Sequence, residues 1–150
     1  MTDLNKYDQL STFSMIKGIL TSESRLDRFN SNSYYEFEPK VKAMDFNGYP
    51  YIVIRVPESE DDQEFLGNVS EDKTFNINIT MVVDYSARSN VAGYAAAMLA
   101  SLRAATSTYR SSGYSYENVE MISPPEPTTI QQKDVVIVDL ELGLRGEVKV

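Results

Sequence analysis

Neither cysteine nor histidine occurs anywhere in the 150 residues. Without cysteine there is no disulfide framework, no thiolate nucleophile and no zinc–thiolate centre. Without histidine the usual general base near neutral pH and the commonest metal ligand are missing, so a Ser-His-Asp or Cys-His arrangement cannot be built within the chain. Catalysis would have to rest on carboxylates, lysine, tyrosine or a bound cofactor. No window is apolar enough, for long enough, to span a bilayer. The opening residues Thr2-Asp3-Leu4-Asn5 place no basic region ahead of an apolar one, so no secretory signal is expected. The sequons Asn68-Val69-Ser70 and Asn78-Ile79-Thr80 are then chance matches. A phosphate-cradling glycine loop is also missing, because Gly143 and Gly146 lie in a polar tail with no helix after them. There is no internal repeat. Positive charge is scarce: 14 Lys and Arg face 22 Asp and Glu, a net charge of −8. With no basic stripe, the chain is a poor candidate for gripping nucleic acid through its phosphates.

What is present is a globular composition, 42% apolar, on a length that suits one domain over 1–150 with a sizeable core. The most informative stretch runs from Phe75 to Arg110. Phe75, Ile77, Ile79, Met81, Val83 and Tyr85 fall on one side of an extended chain. Asn76, Asn78, Thr80 and Asp84 fall on the other, with Val82 the single apolar exception. That alternation predicts a long strand with one buried face. After the polar break Ser86-Ala87-Arg88-Ser89-Asn90 the period becomes 3.6. Val91, Tyr94, Ala95, Met98, Leu99, Leu102, Ala105, Thr106 and Tyr109 make one helical stripe over 91–110. Ser89 or Asn90 is suited to cap this helix, and Gly113 to end it in a left-handed conformation.

Ahead of this stretch, residues 3–20 read as an amphipathic helix, capped by Thr2 or Asp3. Its apolar side carries Leu4, Tyr7, Ser11, Met15 and Leu20, broadened by Phe13, Ile16 and Ile19. A further turn brings Leu26 and Phe29 inward, and 30–33 is a polar break. Tyr34 to Val56 reads as β structure with a hairpin at Asn47-Gly48. From Pro57 to Lys73, seven carboxylates face Lys73 alone, a net of −6 that leaves −2 for the rest of the chain. This is expected to be an exposed acidic loop, with Phe65-Leu66 anchoring its middle. After the long helix, Tyr114 to Ile122 reads as a strand. Ser123 to Thr129, with Pro124, Pro125 and Pro127, cannot be a central strand and is expected to be a connection. Lys133 to Leu144 is a last strand, apolar on both faces in its first half, so it belongs centrally or against a neighbouring subunit. The whole predicts an α+β fold: an N-terminal helix and an antiparallel-rich twisted sheet of four to five strands, with a long Ala-rich helix packed on one face.

Candidate chemistry is thin. The run Glu58, Glu60, Asp61, Asp62 could attract calcium, yet it lacks the EF-hand ligand order and its central glycine; a solvated acidic loop explains it better. Asp139 and Glu141 share one face of the last strand, where a polar outer face suffices to explain a pair that could otherwise be catalytic. No catalytic, cofactor-binding or metal residues are assigned. The long helix carries a second stripe of small residues (Gly93, Ala96, Ala97, Ala100, Ser101, Ala104, Ser107), which could pack on the domain's own sheet or on another subunit. Arg103 and Arg110, seven apart, read as surface cations able to pair with an acidic neighbour across an interface. The candidate interaction residues are therefore Glu58, Glu60, Asp61, Asp62, Glu64, Arg88, Arg103 and Arg110. Ten tyrosines are many for this length, and they suit both half-buried strands and interfaces.

In length and element order the chain resembles the tail terminator, or tail completion, proteins of tailed phages and viruses. The run Ile77-Asn78-Ile79-Thr80-Met81-Val82-Val83-Asp84-Tyr85 before a helix is the nearest thing to a motif. The resemblance spans most of the chain. It implies a non-enzymatic virion protein without cofactors, made in the host cytoplasm and placed at the tail–neck junction. It further implies a homo-oligomeric ring, typically a hexamer, that caps the tail tube protein and joins the head completion or connector protein, with DNA passing through the lumen and no membrane involved. Other neck or head–tail adaptors share this layout. An adaptor working as monomer or dimer, and a small ligand-binding or carboxylate-based α+β enzyme, are the alternatives from other classes.

Overall fold

A computed structural model of the chain describes residues 9–29, 31–44, 46–57 and 70–149. It is α+β. The order is helix α1 (Gln9–Thr21), strands β1 (Tyr34–Tyr35), β2 (Tyr51–Arg55) and β3 (Ser70–Asp84), helices α2 (Val91–Ala104) and α3 (Thr106–Ser111), and strands β4 (Tyr114–Ile130) and β5 (Lys133–Lys149). The five strands form one sheet in the order β1-β2-β3-β5-β4. All neighbours are antiparallel except β1 and β2, which run parallel.

The alternation in β3 is realised residue by residue. Phe75, Ile77, Ile79, Met81 and Val83 face the helices in one core with Ile52, Ile54, Val138, Leu140, Leu142 and Leu144. From the helical side come Ile16 and Leu20 of α1, and Val91, Ala95, Met98, Leu102 and Tyr109 of α2 and α3. Thr12, also inside, closes its hydroxyl at 2.9 Å on that of Tyr114. Ser11, placed on the apolar side by the sequence, is exposed. Leu4, Tyr7 and the Thr2/Asp3 cap lie outside the described residues. As expected, β5 is central, held between β3 and β4, and Leu26 and Phe29 are buried.

Four expectations are corrected. First, 34–56 is not a hairpin. β1 and β2 are parallel, with Tyr34 against Ile52 and Tyr35 against Val53, so the chain between them crosses over rather than folding straight back. Asn47-Gly48 forms no turn; Gly48 takes φ 88° inside that crossover, and the chain bends just after it, at Tyr49-Pro50. The crossover carries Phe46 and Tyr49 onto the second face of the sheet, beside Tyr35, Tyr51, Val53, Val82 and Val135. The exceptional Val82 is thereby explained: it is fully buried under this aromatic cover. Second, the Pro-rich segment is part of β4. Proline cannot donate to a ladder but is tolerated on an edge, and β4 is the edge strand; register shifts between Met121 and Glu126 carry the chain past Pro124 and Pro125. The actual connection is Gln131-Gln132, both left-handed at φ 49° and 68°, the two-residue turn that suits strand twist. Third, the long helix is broken at Ala105 (φ −92°, ψ 28°) into α2 and α3; the Tyr109 hydroxyl spans the break, donating to the Leu102 carbonyl at 2.7 Å. Gly113 ends α3 at φ 92° as expected. Asn90 makes no side-chain cap. Instead, a 3-10 run, Tyr85–Asn90, leads into α2, opened by Asp84, whose carboxylate accepts the Ser86 N–H at 3.0 Å. Fourth, Ser70 to Lys73, counted with the acidic loop, pair with β5 as the start of β3.

Candidate functional site

The helices cover one face of the sheet, and the 36–50 crossover covers one end of the other. Among the described residues, what remains is a polar stretch of sheet built from β2, β3, β5 and β4, exposed at Arg55 and Glu120, half-buried at Asn78, Asp139 and Glu141, with Thr80 buried within it. Cross-strand register aligns Arg55, Asn78, Glu141 and Glu120 in one row, and Val53, Thr80, Asp139 and Ser123 in the next. Asp139 and Glu141 do share this face. Asp139 accepts the Thr80 hydroxyl at 2.6 Å, and Arg55 reaches Asn78 Oδ1 and Thr80 Oγ1 at 3.3 Å each. That network ties three strands together and gives Asp139 a structural hydrogen bond through one of its oxygens. Glu141 lies directly opposite Glu120, and among the described residues neither has a hydrogen-bonded or ionic side-chain partner.

On the opposite side of the molecule the small-residue stripe faces outward. Ala92, Gly93, Ala96, Ala100, Ala104 and Ser107 are exposed, while Ala97 is buried against the sheet. Among the described residues, Arg103 and Arg110 have no acidic partner, and both are exposed. Arg88 is different: its guanidinium lies 4.3 Å over the Tyr85 ring and donates to the Tyr85 carbonyl at 3.1 Å, so it holds the turn before α2. Glu58, Glu60, Asp61, Asp62 and Glu64 lie outside the described residues. The structure thus separates Arg88 from the pair Arg103 and Arg110.

Most of the perturbed titrations belong to buried or half-buried tyrosines. Tyr51 is buried and donates to Glu38 at 2.6 Å; burial first, and then that carboxylate, push its hydroxyl well above the ordinary tyrosine range. Burial alone lifts Tyr34 to about 12, and lifts Tyr109 further, helped by Tyr116. Asp84 is held below the usual carboxylate range, chiefly by the Ser86 N–H and then by Lys133 at 3.0 Å. Each shift has a structural cause, and none marks a general base near neutral pH.

The surface grooves among the described residues include four of about 480 to 570 Å³. Neither Asp139 nor Glu141 lines any of these four. One, of about 490 Å³, lies where α1 meets the end of β2 and includes the exposed side chains of Leu10 and Phe37. Among the described residues no three carboxylates gather closely enough to hold a metal ion, and no helix is long and apolar enough to cross a membrane. Sequence reasoning missed Glu120 as Glu141's neighbour. Its signal was hidden in the β4 register, which shifts at Tyr116/Asn118 and again beyond Met121.

Compared with known proteins, the chain matches no family model, and no curated protein matches its sequence.

Proposed function

We propose that this chain is a structural protein of a tailed virus, a ring-forming tail terminator at the tail–neck junction. It would act by occupancy. It binds the last ring of tube protein, blocks further addition, and offers its other side to the head connector. It carries out no chemistry of its own, binds no cofactor and lets DNA pass through an open lumen. It is made in the host cytoplasm and ends in the virion.

The observation that carries this reading is the element order: an N-terminal helix, short strands, one long strand, a helical layer, then two long strands, all on one sheet. The resemblance calls for a hairpin after the first helix and a Pro-rich link between the last two strands, and both differ here; the order of the remaining elements supports it. Two physical features support it. The sheet has a 17-residue edge strand, β4, whose outer side has no strand neighbour among the described residues, and unpaired edges are ready material for assembly. The excess negative charge of the chain would repel the phosphates of passing DNA rather than hold them.

The test is native mass measurement and class-averaged electron microscopy of the purified protein, alone and mixed with tail tubes of the virus that encodes it. The expected result is a closed ring with a through-hole seated on the tube end, and tubes that stop lengthening. Turnover of a substrate by the lone subunit, or failure to bind tube ends at any concentration tried, would overturn the reading. Removal of residues 58–69 is expected to impair docking or DNA passage. Normal assembly and passage without them would detach the acidic loop from the function.

A further inference from the structure

The charge of the chain is divided between its two layers. Residues 85–113, the helical layer between β3 and β4, contain three arginines and no carboxylate. Residues 114–146, covering β4 and most of β5, contain six carboxylates against Lys133 and Arg145, a net of −4. In the sheet, Glu120 and Glu141 stand directly opposite each other on adjacent strands. Like charges in that position repel. No cation among the described residues pairs with them: Arg55 is taken by Asn78 and Thr80, and Arg145 by Glu117 at 2.8 Å. On the helical side, Arg103 and Arg110 are equally unpaired among the described residues, and the exposed positions beside them include Ala100, Ala104, Thr106, Ser107 and Thr108. Small side chains let a partner come close to the helix backbone.

Each face therefore offers the charge the other lacks, and they lie on opposite sides of one molecule. Among the described residues of one chain the two patches do not meet, but between chains they can. We propose that the helical face around Arg103 and Arg110 of one copy docks on the open sheet face at Glu120 and Glu141 of the next copy. The contact is heterologous: two different patches meet, and each copy keeps one of each free. It therefore propagates, closing into a ring when the rotation closes. The proposal rests on the ring reading above for its closure, but the contact itself rests on the charge division.

The absence of native cysteine makes the contact easy to trap. Ser107→Cys lies between the two arginines, and Asn118→Cys lies two residues from Glu120 on the same face; both positions are exposed. A short bis-maleimide is added to each variant alone and to their mixture. The expected result is a covalent dimer in the mixture only, with a yield that falls severalfold as ionic strength rises to about 1 M, where the Debye length is about 3 Å. Arg103→Glu with Arg110→Glu on the first variant should abolish the product. Glu120→Arg with Glu141→Arg on its partner should then restore it. No mixed product, equal products from one variant alone, or indifference to the charge reversals would each overturn the contact. A chain carrying both cysteines separates this from the ring reading. A crosslinked ladder that stops at a fixed copy number supports both. A ladder that continues without a stop keeps the contact and defeats the ring. A ring seen by microscopy without the mixed product keeps the ring and defeats the contact.

Discussion

The two faces of the sheet are covered in different ways. The face toward α1, α2 and α3 is closed by elements whose own periodicity points them at it: β3 and β5 alternate and α2 repeats every three or four residues. Among the described residues the other face is closed at one end only, by Tyr35 at the end of β1 and by Phe46 and Tyr49 from a segment with no period at all. The same strands serve both. On one face, burial is a property of regular elements. On the other it depends on a crossover that has to arrive from elsewhere in the chain, and where the crossover does not reach, the sheet stays polar.

The sharpest way to break this comparison is to mutate neighbours on β3 that point to opposite faces. Ile79 is fully buried beneath the helices, and Ile79→Ala is expected to cost about 2–5 kcal/mol in urea unfolding, the range for a buried aliphatic truncated to alanine. A cost below 1 kcal/mol would mean that the helical layer packs more loosely than described. The two β5 glycines extend the test. A methyl at Gly146 would meet the Tyr114 ring at 2.9 Å and the Phe75 ring at 3.4 Å, whereas at Gly143 it meets chiefly the Asn118 amide oxygen at 2.7 Å. Rings locked in a core cannot yield as an exposed amide can. Gly146→Ala should therefore lose about 1–3 kcal/mol by overpacking and Gly143→Ala much less. Equal thermal midpoints for the two would contradict the assignment of rigid and yielding faces.

On the open face, Thr80→Val keeps the shape but removes the hydroxyl that bonds Asp139. Because Asp139 is half-exposed and can regain water, the expected loss is about 1–2 kcal/mol. A double-mutant cycle with Asp139→Asn should show coupling between them. The smallest effect has the opposite sign. Tyr34 is buried in the helix-side core, and its hydroxyl has no hydrogen-bond partner among the described residues. Tyr34→Phe should leave neutral-pH stability unchanged or raise it by about 1 kcal/mol, because an unsatisfied buried hydroxyl is removed. The pH dependence follows from the same burial. An unfolded tyrosine ionises near pH 10, while folded Tyr34 holds its proton to about 12. The native state therefore binds more protons than the unfolded state in that window. The stability linked to Tyr34 is present in full below pH 10 and is lost as pH rises from 10 to 12. Alkaline unfolding of Tyr34→Phe should show a shallower fall over this range, and an unchanged slope would refute the linkage.

How much of this was legible beforehand depends on the range of the interaction. Ile77, Ile79, Met81 and Val83 announced their face because a strand's alternation is written at adjacent positions. Gly113 announced the end of the helical layer because a left-handed residue is a local demand. Ala105 gave no warning of the break between α2 and α3, since alanine is the best helix former and the break is spanned by Tyr109 from the next turn. The proline run was misread for a similar reason. Proline excludes a central strand, but whether a strand lies at an edge is a fact about its neighbours. The candidate surfaces divide the same way. Arg103 and Arg110 stood out by spacing, whereas the opposition of Glu120 and Glu141 needed the register of two strands joined through a turn at Gln131-Gln132.

Composition and periodicity alone determined the absence of imidazole and thiol chemistry, the long central strands, the apolar side of the helical layer and the α+β class, because each follows from residue types at short, regular separations. Tertiary structure decided the parallel pairing of Tyr34-Tyr35 with Ile52-Val53, the aromatic cover on the second face, the edge position that accommodates three prolines, and the unmatched charges on the two sides of the molecule. These depend on which distant backbones hydrogen-bond to one another, and strand pairing carries no short-range record of its partner.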